Sequence, residues 1–121
     1  MSYEVKQAIA ADQCIVAQVE WYREDETRGG EALASRWFDL LHAAPAGLAD
    51  APHRHALAPE NGLWMRRYEI RQMLFRPWKS GVGWRVLYTI DEDKKLVTIL
   101  QIRHERQRWL FEEEGGSGQS T

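Results

Sequence analysis

The stretch from Trp84 to Trp109, WRVLYTIDEDKKLVTILQIRHERQRW, constrains the fold of this chain more than any other. Val86 to Ile90 and Leu96 to Ile102 are two runs rich in β-branched and aromatic residues, separated by Asp91, Glu92, Asp93 and Lys94. That pattern predicts a β-hairpin. The turn contains no glycine, so it predicts a loop longer than the two-residue type I′ form. The second run leads directly into Arg103, His104, Glu105, Arg106 and Arg108. A strand thus delivers a cluster of titratable groups to one end of a sheet, and function is expected there.

The remaining residues supply the partners of this hairpin. Residues 3–9 alternate and predict a first strand. Asp12 is the expected N-cap of a helix over residues 12–24, with Ile15, Val16, Val19 and Tyr22 at helical spacing. Glu24, Asp25, Glu26, Gly29 and Gly30 end it. A second helix is expected over residues 31–44, with a stripe of Leu33, Trp37, Leu40, Leu41 and Ala44 widened by Phe38. Residues 45–62 contain Pro45, Pro52 and Pro59 and read as an irregular connection. YEIRQMLFR, residues 68–76, alternates as a strand, with Tyr68, Ile70 and Leu74 on one face and Glu69, Arg71, Met73 and Phe75 on the other. Trp109, Leu110 and Phe111 could extend a short helix over the sheet.

The expected class is therefore α+β, in the order β-α-α-β-β-β. An αα-hairpin covers one face of an antiparallel sheet, and the first strand pairs with a sheet edge. With 121 residues the chain suffices for one core, so residues 1–111 are expected to be a single domain and 112–121 an acidic, Gly/Ser-rich flexible tail.

Composition narrows the setting. No apolar run approaches the roughly 20 residues that cross a bilayer. The N-terminus has no basic segment followed by an apolar one, so no signal peptide is expected. Cys14 is the one cysteine, which leaves no intramolecular disulfide. A cytoplasmic protein is the simplest expectation. The net charge of −2 conceals an asymmetry. Residues 1–65 hold 5 Lys/Arg against 10 Asp/Glu, whereas residues 66–108 hold 11 against 5. The strand-rich half could face a polyanion, although an ordinary solvated surface explains such an excess as readily.

In its ordered combination of an αα-hairpin, the loop PHRHALAPEN, the strand YEIRQMLF, and GWRVLYTID leading to LQIRHERQR, the chain resembles the RelE/ParE superfamily of toxins from type II toxin–antitoxin pairs. The resemblance covers about residues 3–108. It implies a cognate antitoxin partner, no cofactor, no metal and no membrane. It also implies one of two activities on one fold. RelE-like members cut messenger RNA on the ribosome; ParE-like members poison DNA gyrase without catalytic residues. A third possibility is an inactive member that only binds its antitoxin.

For the nuclease, the leading expectation from the sequence, the 2′-OH attacks the neighbouring phosphate. That needs a base, cations for the phosphorane and an acid for the leaving oxygen. The resemblance implies Arg85 as the phosphate ligand, Arg71 as a second cation and His104 as the proton donor. Glu69 stands where relatives often have lysine, as a base or simply as a partner of an arginine. The three cationic candidates should then converge at one end of the sheet, and a strand-end Arg85 should contribute little to the core. Arg103, Arg106 and Arg108 would extend a nucleic-acid-binding patch, and Trp109, near a position where many relatives carry tyrosine, could stack on a base. It has no phenol for acid–base work. His53 and His55 could suggest metal binding but lack a third and fourth ligand at suitable spacing. Trp21, Trp37, Trp64 and Trp84 are expected in the core or at its rim.

Overall fold

The computed structural model describes residues 2–63, 68–78 and 83–106. Strand β1 (Glu4–Gln7) leads into helix α1 (Ile9–Arg23), and α2 (Gly30–Ala43) follows. After two short 3-10 turns, Ala44–Ala49 and Pro52–Arg54, come β2 (Arg71–Phe75), β3 (Trp84–Asp91) and β4 (Leu96–His104). The order β-α-α-β-β-β is the one expected. Trp64, Arg108, Trp109, the 109–111 extension and the 112–121 tail lie outside the described residues.

The sheet runs β1-β4-β3-β2. β2, β3 and β4 form an antiparallel meander. β1 adds to the β4 edge in parallel, Val5 facing Val97, so the sheet is mixed rather than wholly antiparallel. The β3–β4 turn spans residues 92–95, longer than two residues as its composition requires. Lys95 supplies the left-handed position, φ +52°, that a glycine would more often take. Asp91 Oδ1 accepts the Lys94 N–H at 3.1 Å and steadies the turn.

Helix α1 starts earlier than the Asp12 signal suggests. Ala8 is still extended, its N–H donates to Ile99 O at 2.8 Å, and its own carbonyl accepts from Ala11 and Asp12. The chain therefore passes from strand to helix with Ala8 as the cap. Asp12 lies in the first turn, where a carboxylate favours the helix dipole. Between the helices, Asp25 accepts the Thr27 N–H at 2.8 Å and its hydroxyl at 2.7 Å. Gly29 takes φ +119°, and a Cβ there would lie 2.3 Å from Leu33 Cδ2, so only glycine fits.

Trp37 on α2 is fully buried against Tyr22, Phe75 and Trp84, with ring centroids 6.4, 6.1 and 5.6 Å away. Leu41 is buried with it, and Leu33, Leu40 and Ala44 pack at the margin. Phe38 does not widen the buried stripe; it is 40% exposed and lies on the His42 ring. Trp84 joins the core, while Trp21 is 47% exposed.

The opposite face of the sheet is also covered. Ala58, Ile70, Leu87 and Leu100 form a second, smaller cluster there. Ala58 N–H donates to Ile70 O, and Asn61 Oδ1 accepts the Ile70 N–H, both at 2.9 Å. This explains why β3 is buried without interruption from Trp84 to Tyr88 instead of alternating. Tyr88 is fully buried, and its hydroxyl donates to the Pro52 carbonyl. Burial pushes its pKa up to about 12, so the stability this phenol contributes is complete below about pH 10 and is lost as pH rises through the folded value. Tyr88→Phe leaves that carbonyl without its donor. We expect a loss of about 1–3 kcal/mol, read as a lower urea midpoint at unchanged slope.

Candidate functional site

Strand alternation separates the candidate residues. On β3, Trp84, Val86 and Tyr88 face the main core, whereas Leu87 belongs to the second cluster. Arg85 shares the Leu87 face. On β2, Met73 and Phe75 face the main core, so Arg71 shares their side of the strand. Arg85 and Arg71 are therefore on opposite faces of the sheet.

Arg85 is 5% exposed and Glu60 is fully buried. Nη1 donates to Glu60 Oε1 at 2.9 Å and Nη2 to Oε2 at 2.8 Å, a planar two-point contact. Nη1 also donates to Gln72 Oε1 at 3.1 Å. Arg103 lies directly across the ladder from Arg85 and is equally buried. The expectation that a strand-end Arg85 contributes little to the core is corrected here: Arg85 is an interior residue that fastens the 56–63 segment to the sheet. Sequence reasoning missed Glu60 altogether. Its one local sign is a lone carboxylate in the apolar, turn-forming context of Ala58, Pro59 and Asn61.

Arg71 has a different task. Its Nε and Nη2 meet Glu69 Oε1 at 3.2 and 3.0 Å. Its Nη1 donates to the carbonyls of His55 at 2.7 Å and His53 at 3.3 Å. Of the two roles open to Glu69, the geometry displays the pairing one. Arg71 faces Tyr88 in the ladder and His104 faces Trp84, so the two are four residues apart along β3, roughly 13 Å. Arg85, Arg71 and His104 thus do not bracket one point.

His104 is half-buried, its ring edge-on to Trp84 at 5.4 Å, and its Nδ1 accepts the Arg106 N–H at 3.2 Å. It lines a groove of about 650 Å³ between the helices and the sheet, with Cys14, Trp21, Trp37, Trp78 and Trp84. Arg106 is exposed beside it, and Glu105 holds the Gly83 N–H at 2.6 Å and Arg76 at 3.1 Å.

A cluster that sequence reasoning did not assemble sits at the hairpin tip. Glu92 accepts from the Tyr3 hydroxyl at 3.0 and 3.2 Å and from Lys95 Nζ at 3.3 Å, and it touches His53 Nε2. The Tyr3 hydroxyl chiefly, then His53 and Lys95, hold its carboxyl below the usual range. His53 thus turns to Glu92, while His55 turns its ring to Tyr88. Among the described residues no group of three or more His, Cys, Asp or Glu side chains is placed to hold a metal ion, and no helix is long and apolar enough to cross a membrane.

The model of the ParE toxin of the type II toxin–antitoxin system, parDE, matches residues 16–109. No curated protein sequence matches the chain. Similar solved structures include the toxin–antitoxin complex RelBE2 from Mycobacterium tuberculosis, at 18% identity and TM-score 0.47, covering 87% of this chain and 100% of that one. Another is the archaeal RelE–RelB complex from Pyrococcus horikoshii OT3, at 13% identity and TM-score 0.39, covering 89% and 100%. The family match spans well over half of the chain, from α1 to beyond β4: this protein belongs to the ParE toxin family of type II toxin–antitoxin systems, within the RelE/ParE superfamily.

Proposed function

We propose that this toxin acts in the ParE manner, by binding and inhibiting DNA gyrase without chemistry of its own, and that a cognate antitoxin neutralises it. The observation that carries this reading is the Arg85–Glu60 contact. The cation best suited by resemblance to hold a scissile phosphate is held inside the protein by a carboxylate at 2.8 and 2.9 Å. Arg71 is likewise engaged, by Glu69 and two backbone carbonyls. A binding toxin needs no convergent acid, base and cation. The basic excess of residues 66–108 suits an acidic surface on either protein partner.

The test pairs two readouts from one preparation. The purified toxin is added to gyrase with relaxed plasmid, and separately to translating ribosomes carrying a defined message. Inhibited supercoiling with intact message is the expected outcome. Cut message with unaffected gyrase would replace this reading with ribosome-dependent mRNA cleavage, for which the half-buried His104 beside Arg106 would then be the first candidate acid. Neither effect, with antitoxin binding retained, would identify an inactive member.

A further inference from the structure

Residues 49–58 are fastened to the sheet by a series of hydrogen bonds. Tyr3 N–H donates to Ala49 O at 2.7 Å, and the Tyr88 hydroxyl donates to Pro52 O. Arg71 Nη1 reaches the carbonyls of His53 and His55. Gln72 N–H donates to Ala56 O at 3.0 Å. Two imidazoles ride on this segment in opposite electrostatic settings. His53 is exposed and lies against the Glu92 carboxylate, with Tyr3 and Lys95 on the same carboxylate. His55 is half-buried, edge-to-face with the Tyr88 ring at 6.3 Å.

Among the described residues, the charge that bears on the His55 ring is Arg54, its chain neighbour, while Arg71 rests its guanidinium on the His55 backbone carbonyl at 2.7 Å. The carboxylate on that side, Glu69, is held by Arg71 at 3.0 Å. The Tyr88 phenol is neutral, and its ring lies edge-to-face with the imidazole. An imidazolium at position 55 would carry its charge in a half-buried setting beside the Arg54 guanidinium. One at position 53 would meet a carboxylate.

We propose that this segment is an acid-operated latch. Protonation of His55 lifts residues 54–57 from Tyr88 and Arg71, while the His53–Glu92 contact holds the preceding residues in place. Opening frees the Arg71 guanidinium from the His55 carbonyl and unpairs the Gln72 amide at the β2 edge. Burial first, and Arg54 second, hold the His55 pKa below its ordinary 6.5. The closed form is therefore fully favoured above about pH 6.5 and loses that advantage as pH falls through the folded value.

The test is hydrogen exchange of the Gln72 amide in the full chain at pH 7.5 and 5.5, corrected for intrinsic rates. In the wild type and in His53→Gln, corrected exchange should quicken at pH 5.5, up to about tenfold for each pH unit separating the folded and free His55 midpoints. In His55→Gln it should not change. An equal rise in His55→Gln, or no rise in the wild type, overturns the latch. Should His55→Gln fail to fold, an NMR titration of the wild-type His55 ring decides: a midpoint below 6.5 supports the latch, and one at or above 6.5 overturns it.

Discussion

Arg85→Ala will destabilise the domain rather than simply disarm it. The substitution removes one member of a buried ion pair and leaves the Glu60 carboxylate inside the protein without its two guanidinium donors. Breaking such a pair from one side costs about 3–5 kcal/mol, against about 5–15 kcal/mol for the stability of a typical domain. Glu60→Ala should cost about as much, since it removes the carboxylate that holds both terminal nitrogens of the buried Arg85 guanidinium. The double change Glu60→Met with Arg85→Met should recover part of the loss, because apolar side chains of similar size remove these two buried charges together while the buried Arg103 remains. Urea melts of the three variants give the measurement. A single variant as stable as the wild type would mean that the pair is open to water in solution. The comparison also guards against a false conclusion from toxicity. If Arg85→Ala abolishes growth arrest, a matching loss in Glu60→Ala, which removes no cation, marks the cause as unfolding.

Trp37→Ala is the second large effect. Trp37 is fully buried and touches aromatic rings from α1, β2 and β3, so it connects the helix pair to the sheet. Truncating a buried tryptophan to alanine costs about 3–5 kcal/mol, from lost burial and from a cavity that rigid neighbours cannot fill. We expect a thermal midpoint lower by ten degrees or more on the order of 4–8 °C per kcal/mol, with loss of near-ultraviolet dichroism from the ring cluster. Leu40→Ala, at the margin of the same stripe, should cost clearly less. If the two variants melt together, α2 does not seat on the sheet through Trp37.

Much of this fold was legible because its signals are local. The runs around Val86 and Val97 declare strands, and the spacing of Leu33, Trp37 and Leu41 declares a helix face. The start of α1 was misplaced because Asp12 carries a capping side chain, whereas the true boundary at Ala8 depends on a hydrogen bond to Ile99, far along the chain. The parallel pairing of β1 was hidden for the same reason: its partner is β4. The candidate site was less legible still. Arg85 has the same local sequence whether it meets a phosphate or Glu60, and Glu60 comes from a stretch with no periodicity to announce which way it points. Glu69 was readable, being only two residues from Arg71 in the sequence. The partners of Glu92 come from three separate parts of the chain, and no spacing rule gathers Tyr3, His53 and Lys95.

The pairing of β1 with β4 has a consequence for synthesis. The strand made first finds its hydrogen-bonding partner only in the strand made last, after the helices and the rest of the sheet have been translated. The helix pair can form early from near neighbours, but the sheet cannot close on a partly made chain. Non-local pairing of this kind slows folding and delays it to the end of translation. Each new copy of the chain therefore gains its finished sheet only once the polypeptide has been made through residue 104.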